Sequence, residues 1–370
     1  MFTAFILTNL RKQKTAKYLL FHLFVLRQKI SLIIAFAVLT LPITLLGCSS
    51  QNQTSQISSS GSQKKHTTVR IVYSKLGPLA VVRKQGTLEK RLKAEGNSVT
   101  WHEFAAGPQS LEALNANSLD ITSTAESPVI FAQAAGTPLV YISTTQPSPK
   151  GVAFVVPKNS SIKSIADLKG KKIALQKASV AQYLIVQALK EVGLKFSDIT
   201  PVYLPPPDAN IAFSQAKVDA WIIWEPYVTR IEEQGIGRII RDGTGLRDIG
   251  GFYSTTRQFS KEHPEIIKAF LEEAQKAEKW SKNHPHELAQ LLSKEVGIDV
   301  KTLEKVNARL DYGLLPITNK IIAKQQQIAD MYYDLKLLPK KINISEVILS
   351  PEDYAKITPQ ELTSELTSKQ

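Results

Sequence analysis

From Val69 onward the chain repeats one pattern, a short run of β-branched and aromatic residues followed by an amphipathic stretch. VRIVY, VTWHEF, LDITST and PLVYIST form a first series, with helical periodicity over 86–95, 108–117 and 127–135 between them. Nearly continuous apolar runs of this length suit strands buried on both faces, so the rhythm predicts βαβα units. GVAFVVP restarts it, and SIADLKG, KKIAL, 179–193, TPVYL, 208–216, VDAWII, 225–234 and GRII follow. After GFYSTT the period becomes helical over roughly 260–283, 285–295, 300–308 and 319–336. Two α/β lobes are predicted, one from 68–148 with 252–340 and one from 149–251, joined by crossovers near 147–153 and 245–255. The late helices are expected to pack on the first lobe. The tail 341–370, interrupted by Pro351 and Pro359, is expected to be a partly ordered surface segment.

The first 47 residues follow another pattern. Arg11, Lys12, Lys14, Lys17, Arg27 and Lys29 precede an apolar run from Ile30 to Leu46, which ends in Leu45-Leu46-Gly47-Cys48. That is the layout of a signal peptide, and the small residue before cysteine also resembles a bacterial lipoprotein signal. On this reading 1–47 is removed, Cys48 is lipidated, and 48–67, rich in Ser and Gln, is a flexible polar tether. An uncleaved membrane-spanning helix is the alternative. The expected location is periplasmic or extracellular, tied to the membrane by lipid.

Charge and composition then remove function classes. The formal net charge is +13, but the six basic residues of the leader have no acidic partners, and the remaining 323 residues carry 40 basic against 33 acidic side chains. That modest, dispersed excess is not a nucleic-acid signature. One cysteine in 370 residues excludes a disulfide framework within the chain and a cysteine-rich metal site. His102, His263, His284 and His286 lack partners at metal-ligand spacing, and no G-x-S-x-G, G-x-x-x-x-G-K-[ST] or G-x-G-x-x-G is present. No cofactor or metal is expected.

Loops at the carboxyl ends of strands meet helix N-termini, whose first N–H groups are unpaired. Here these are Ser74–Pro78, Ala105–Gln109, Thr124–Pro128, Gln176–Val180, Leu204–Asp208 and Trp224–Pro226. Read together, they look like a known family. The stretches EFAAGPQSLEALNANSLDITSTAESPVIFAQAAGTPLVY, IKSIADLKGKKIALQKASVAQYLIVQAL and ITPVYLPPPDANIAFSQAKVDAWIIWEPYV resemble, in order and spacing, the aliphatic sulfonate-binding proteins of ABC importers, within the nitrate, sulfonate and taurine group. The resemblance runs from about Val69 to Pro285. It departs from the family pattern at Ala125, where glycine is usual, and at KASVA, where K-G-S-S-A is common.

The resemblance implies a two-lobed type II periplasmic-binding-protein fold, α/β, with a ligand cleft between lobes and extra C-terminal helices. It implies a monomer that passes a small organic sulfonate to an ABC permease and through it to the ATPase. Taurine, nitrate or a ligand-sensing role remain alternatives. An enzyme that forms the thiamine pyrimidine also uses this fold, but its resemblance would demand cysteines in the body, and Cys48 is spent on the lipid. A sulfonate offers three acceptor oxygens and no proton, so helix N-termini suit it. The expected ligand-binding positions are Leu76, Gly107, Pro108, Gln109, Thr124, Ala125, Glu126, Ser127, Ser179, Val180, Ala181, Trp224 and Glu225. Glu126 or Glu225 either sits favourably at its helix N-terminus or reads a cationic group on the ligand, and Trp224 and Tyr227 either wall an organic tail or pack in the core.

Overall fold

The computed structural model describes residues 66–362. The lipidation reading at Cys48, the leader and nearly all of the tether lie outside the described residues. Strands β1 (Thr68–Tyr73), β2 (Ser98–Glu103), β3 (Ile121–Thr124) and β4 (Leu139–Thr145) come first, then β5 (Val152–Pro157), β6 (Lys172–Leu175), β7 (Thr200–Tyr203), β8 (Ala220–Trp224) and β9 (Gly237–Asp242). β10 (Phe252–Thr256) and the short β11 (Leu314–Leu315) complete them.

They form two sheets, ordered β11-β4-β10-β3-β1-β2 and β7-β6-β8-β5-β9. β1 pairs in parallel with β2, Thr68 opposite Ser98 through Tyr73 opposite Glu103. β10, the strand that returns from the second sheet, enters antiparallel between β3 and β4. β5, the strand that leaves the first sheet, is likewise antiparallel to β8 and β9. Each sheet is buried on both faces: Val152, Phe154 and Val156 pack into one core and Ala153 and Val155 into another, because successive side chains alternate sides. The same holds for Val140 and Ile142 against Leu139 and Tyr141 in β4.

The two segments that pass between the sheets run too close for side chains. A Cβ on Gly250 would lie 1.8 Å from the Thr145 carbonyl oxygen, and one on Gly251 would lie 2.5 Å from that of Thr124.

The structure departs from the sequence reading in three places. The periodic stretch 260–283 is two helices, Arg257–Glu262 and Pro264–Asn283. Pro264 disfavours the helical region for the residue before it, and His263 sits at φ −136°. The late helices do pack on the first sheet, Leu303 and Val306 in its core, but they also reach the second: Lys305 of the helix Val300–Asn307 pairs with Glu233, and Arg309 just after it pairs with Glu225 at 3.0 Å and Glu232 at 2.6 Å. The segment expected to be a surface tail is instead anchored, as Ile344, Val347, Leu349, Ile357 and Leu362 are buried. Tyr354 also donates its hydroxyl to the Tyr141 carbonyl at 2.7 Å. A 3-10 turn and one short helix give no sustained period, so the apolar spacing there carried no visible signal.

Candidate functional site

A cavity of about 430 Å³ lies between the two sheets, a size suited to a small organic molecule. It is walled by the loops after β1, β2, β3, β6 and β8 and by the two crossing segments. After β1, Gly77 takes φ +84° and the helix Pro78–Gln85 begins, its proline within the first turn where a missing N–H costs nothing. After β2, extended Ala106 leads into the helix Gly107–Asn115. A Cβ at Gly107 would sit 3.1 Å from Thr124 and Pro128 side-chain atoms, so the small residue lets this helix start press against the end of β3. After β3 comes Glu126–Ala134, and after β6 comes Val180–Glu191. The N-terminal turn of an α-helix carries unpaired N–H groups and a partial positive charge, and here several such turns meet at one cavity.

Leu76, Gly107, Thr124, Ala125, Ser179, Val180, Trp224 and Glu225 line the cavity. Pro108, Gln109, Glu126, Ser127 and Ala181, read from sequence as candidates, are not among its lining residues. The Ala181 N–H is committed to the Ser179 hydroxyl at 3.2 Å. Ser127 accepts from the Tyr332 hydroxyl at 2.9 Å. Glu126 is fully buried, and its Oε2 accepts from Arg247 Nε at 3.0 Å and Nη2 at 2.9 Å, so it faces a protein cation rather than a ligand. Tyr227 stands edge-on to Trp221 in the core at 5.3 Å, whereas Trp224 reaches the cavity. The Leu204–Asp208 loop does not line it. Ser179 caps its helix and donates its own proton to the Gln176 carbonyl at 2.7 Å.

Arg247 is the only Lys, Arg or His among the described lining residues, and its charge is met by Glu126. Glu225 accepts from Thr229 N at 3.1 Å, Thr229 Oγ1 at 2.9 Å and Arg309 Nη1 at 3.0 Å. Burial nonetheless pushes its carboxyl above the ordinary value, these bonds only partly opposing it.

Sequence reasoning missed Arg247, Tyr73, Tyr253, Glu278 and Tyr312, which also line the cavity. A signal existed for Glu278. In the helix Pro264–Asn283 the buried positions include Ile266, Ile267, Phe270, Leu271, Ala274, Ala277, Glu278 and Ser281, so this carboxyl falls on the apolar stripe.

A family described as NMT1/THI5 like matches residues 92–288. The alkanesulfonate-binding protein SsuA from Xanthomonas axonopodis pv. citri, in its structure bound to MOPS, matches with a TM-score of 0.74 at 34% identity, over 76% of this chain and 98% of that one. The periplasmic aliphatic sulphonate binding protein SsuA from Escherichia coli gives a TM-score of 0.69 at 39% identity, over 76% of this chain and 97% of that one. A taurine-binding periplasmic protein of Escherichia coli K12 is 27% identical over 217 residues, 57% of this chain and 66% of its own length.

Proposed function

The chain belongs to the NMT1/THI5-like family and, within it, to the substrate-binding proteins of ABC importers; on that premise we propose that it captures aliphatic sulfonates between its two sheets and delivers them to an import permease for sulfur acquisition. The observation that carries this reading is the convergence of three helix starts, through Gly107, Ala125 and Val180, on one cavity whose only basic side chain among the described residues, Arg247, is already paired. Backbone N–H groups oriented this way hold an anion without an unpaired buried cation. Leu76, Trp224 and Leu310 give the carbon skeleton an apolar wall. The anion sets orientation, and the organic part distinguishes a sulfonate from sulfate or nitrate.

The two layers, 68–148 with 252–340 and 149–251, act as lobes that close on the ligand, the crossing strands serving as the hinge. The mature protein begins at acylated Cys48 and works outside the cytoplasm, held to the membrane by its lipid. Palmitate labelling is expected to mark the wild type and miss Cys48→Ser, and equal labelling of both would remove the anchor from this account.

The ligand reading is tested by thermal unfolding with ethanesulfonate, 2-aminoethanesulfonate, a cyclic aminosulfonate, sulfate, nitrate and phosphate. A ligand at 100 times its dissociation constant stabilises the folded state by about 2.7 kcal/mol. Sulfonates are expected to raise the melting temperature, and stabilisation by nitrate or phosphate alone would overturn the assignment.

A further inference from the structure

The cavity has an end that the anion does not explain. Glu278 lies there, only 4% exposed and on the apolar stripe of its helix. Its Oε2 accepts the Gly313 N–H at 2.8 Å, and its Oε1 faces the Tyr253 hydroxyl at 3.4 Å. Among the described residues no Lys, Arg or His forms an ion pair with it. Tyr73 lines the same cavity, 5% exposed, and its hydroxyl is buried without a hydrogen-bond partner among the described residues. A buried carboxylate lacking a counter-cation and a buried hydroxyl lacking a partner are each costly, and a ligand group that reaches them would relieve that cost.

Resting on the sulfonate reading above, we propose that Glu278 and Tyr73 form a cation-reading end of the cleft, so that the favoured ligands are sulfonates carrying a protonated amine on their carbon skeleton. Helix N-termini take the sulfonate, and the Glu278 carboxylate takes the ammonium, with the Tyr73 hydroxyl as a further acceptor. A purely alkyl sulfonate offers neither group a partner. The electrostatics agree with the geometry: burial raises the Glu278 carboxyl to about 7, so near neutrality the empty site is partly protonated. The other titratable groups facing it are Tyr253 of β10 and Tyr312, both held neutral by burial, while Asp311, Glu225 and Arg247, the last paired with Glu126, line the cavity as well. An arriving ammonium stabilises the ionised carboxylate and expels its proton to solvent. An arriving anion without an amine disfavours ionisation and draws a proton in.

Calorimetric titration of the wild-type protein with ethanesulfonate and 2-aminoethanesulfonate, at pH 7 in two sulfonate-free buffers of different ionisation enthalpy, reads both affinity and proton exchange. Proton release is expected with the amine, and uptake or none with the alkyl ligand. Glu278→Gln keeps the Gly313 contact and the side-chain shape. It is expected to weaken the aminosulfonate about 10- to 100-fold, leave ethanesulfonate within about twofold and abolish the proton release. Tyr73→Phe removes a hydroxyl that bonds nothing among the described residues, so its fold is kept; it is expected to weaken the aminosulfonate alone, by about 3- to 10-fold. Failure of both sulfonates to bind the wild type would bring down the sulfonate reading and this assignment with it. Binding of ethanesulfonate with equal losses for both ligands in Glu278→Gln, no loss for either, or no proton release with the amine would overturn the assignment while leaving that reading in place.

Discussion

Ala178 and Glu278 show how much single residues can carry. Ala178 holds φ +57°, a left-handed conformation that costs an L-residue about 1–2 kcal/mol, in the loop that leads to the Ser179 cap. Its N–H donates to Gln182 Oε1 at 2.7 Å, and a glycine would keep that bond. Ala178→Gly should therefore relieve the strain but add unfolded-chain entropy, for a net gain of about 0.5–1 kcal/mol measured by urea denaturation. Glu278 makes stability depend on pH. Its folded-state value of about 7 lies above the ordinary carboxyl value of 4.5, so between those limits the native state binds the extra proton. Its contribution is fully present below about pH 4.5 and is lost as pH rises through about 7. Glu278→Gln should flatten that part of the stability profile, and an unchanged slope in the variant would show that other groups produce it.

The starts of elements were more legible than their roles. The strand runs and the helices after β2, β3, β6 and β8 stand within a few residues of their positions read from sequence, because proline in a first turn and Ser179 ahead of an amphipathic run are local signals. The helix Pro78–Gln85 was read only at its start, after the Ser74–Pro78 loop, and not in its extent: it is one of two short helices joined at Gly86, and its apolar residues precede a basic run that reads as surface. Whether a helix start meets a ligand or merely satisfies itself is a separate matter. Ser179 has one proton, already given to the Gln176 carbonyl, while its oxygen accepts from Ala181. Ser179→Ala should accordingly lower folding stability by about 1 kcal/mol as a lost cap and change sulfonate affinity by less than about threefold. A much larger loss in affinity, read by calorimetry, would mean that the hydroxyl turns to the ligand on binding.

Across the whole molecule, the late helical segment joins the two sheets by charge. Arg309 reaches Glu225 and Glu232, and Lys305 and Lys324 reach Glu233 and Asp248. Glu225 is buried and Arg309 half-buried, so removing the cation leaves a buried carboxylate short of a partner. Arg309→Met should lower stability by about 1–3 kcal/mol, less than for a fully buried pair because solvent screens part of it. It should also enlarge the ligand-free particle in solution scattering, and an identical profile for variant and wild type would show that these pairs do not hold the two layers together. By itself the amino-acid sequence determined the two α/β series, the helix starts around the cleft and the family resemblance, because period, proline placement and capping act over a few residues. Tertiary structure alone decided that Glu126 answers Arg247 across 121 residues, that Glu278 lines the cavity, and that Ile344, Val347, Leu349, Ile357 and Leu362 are buried. A carboxylate on a helical stripe, or an apolar residue in an irregular tail, has the same local pattern whatever it meets. Only strand order and packing choose its neighbour.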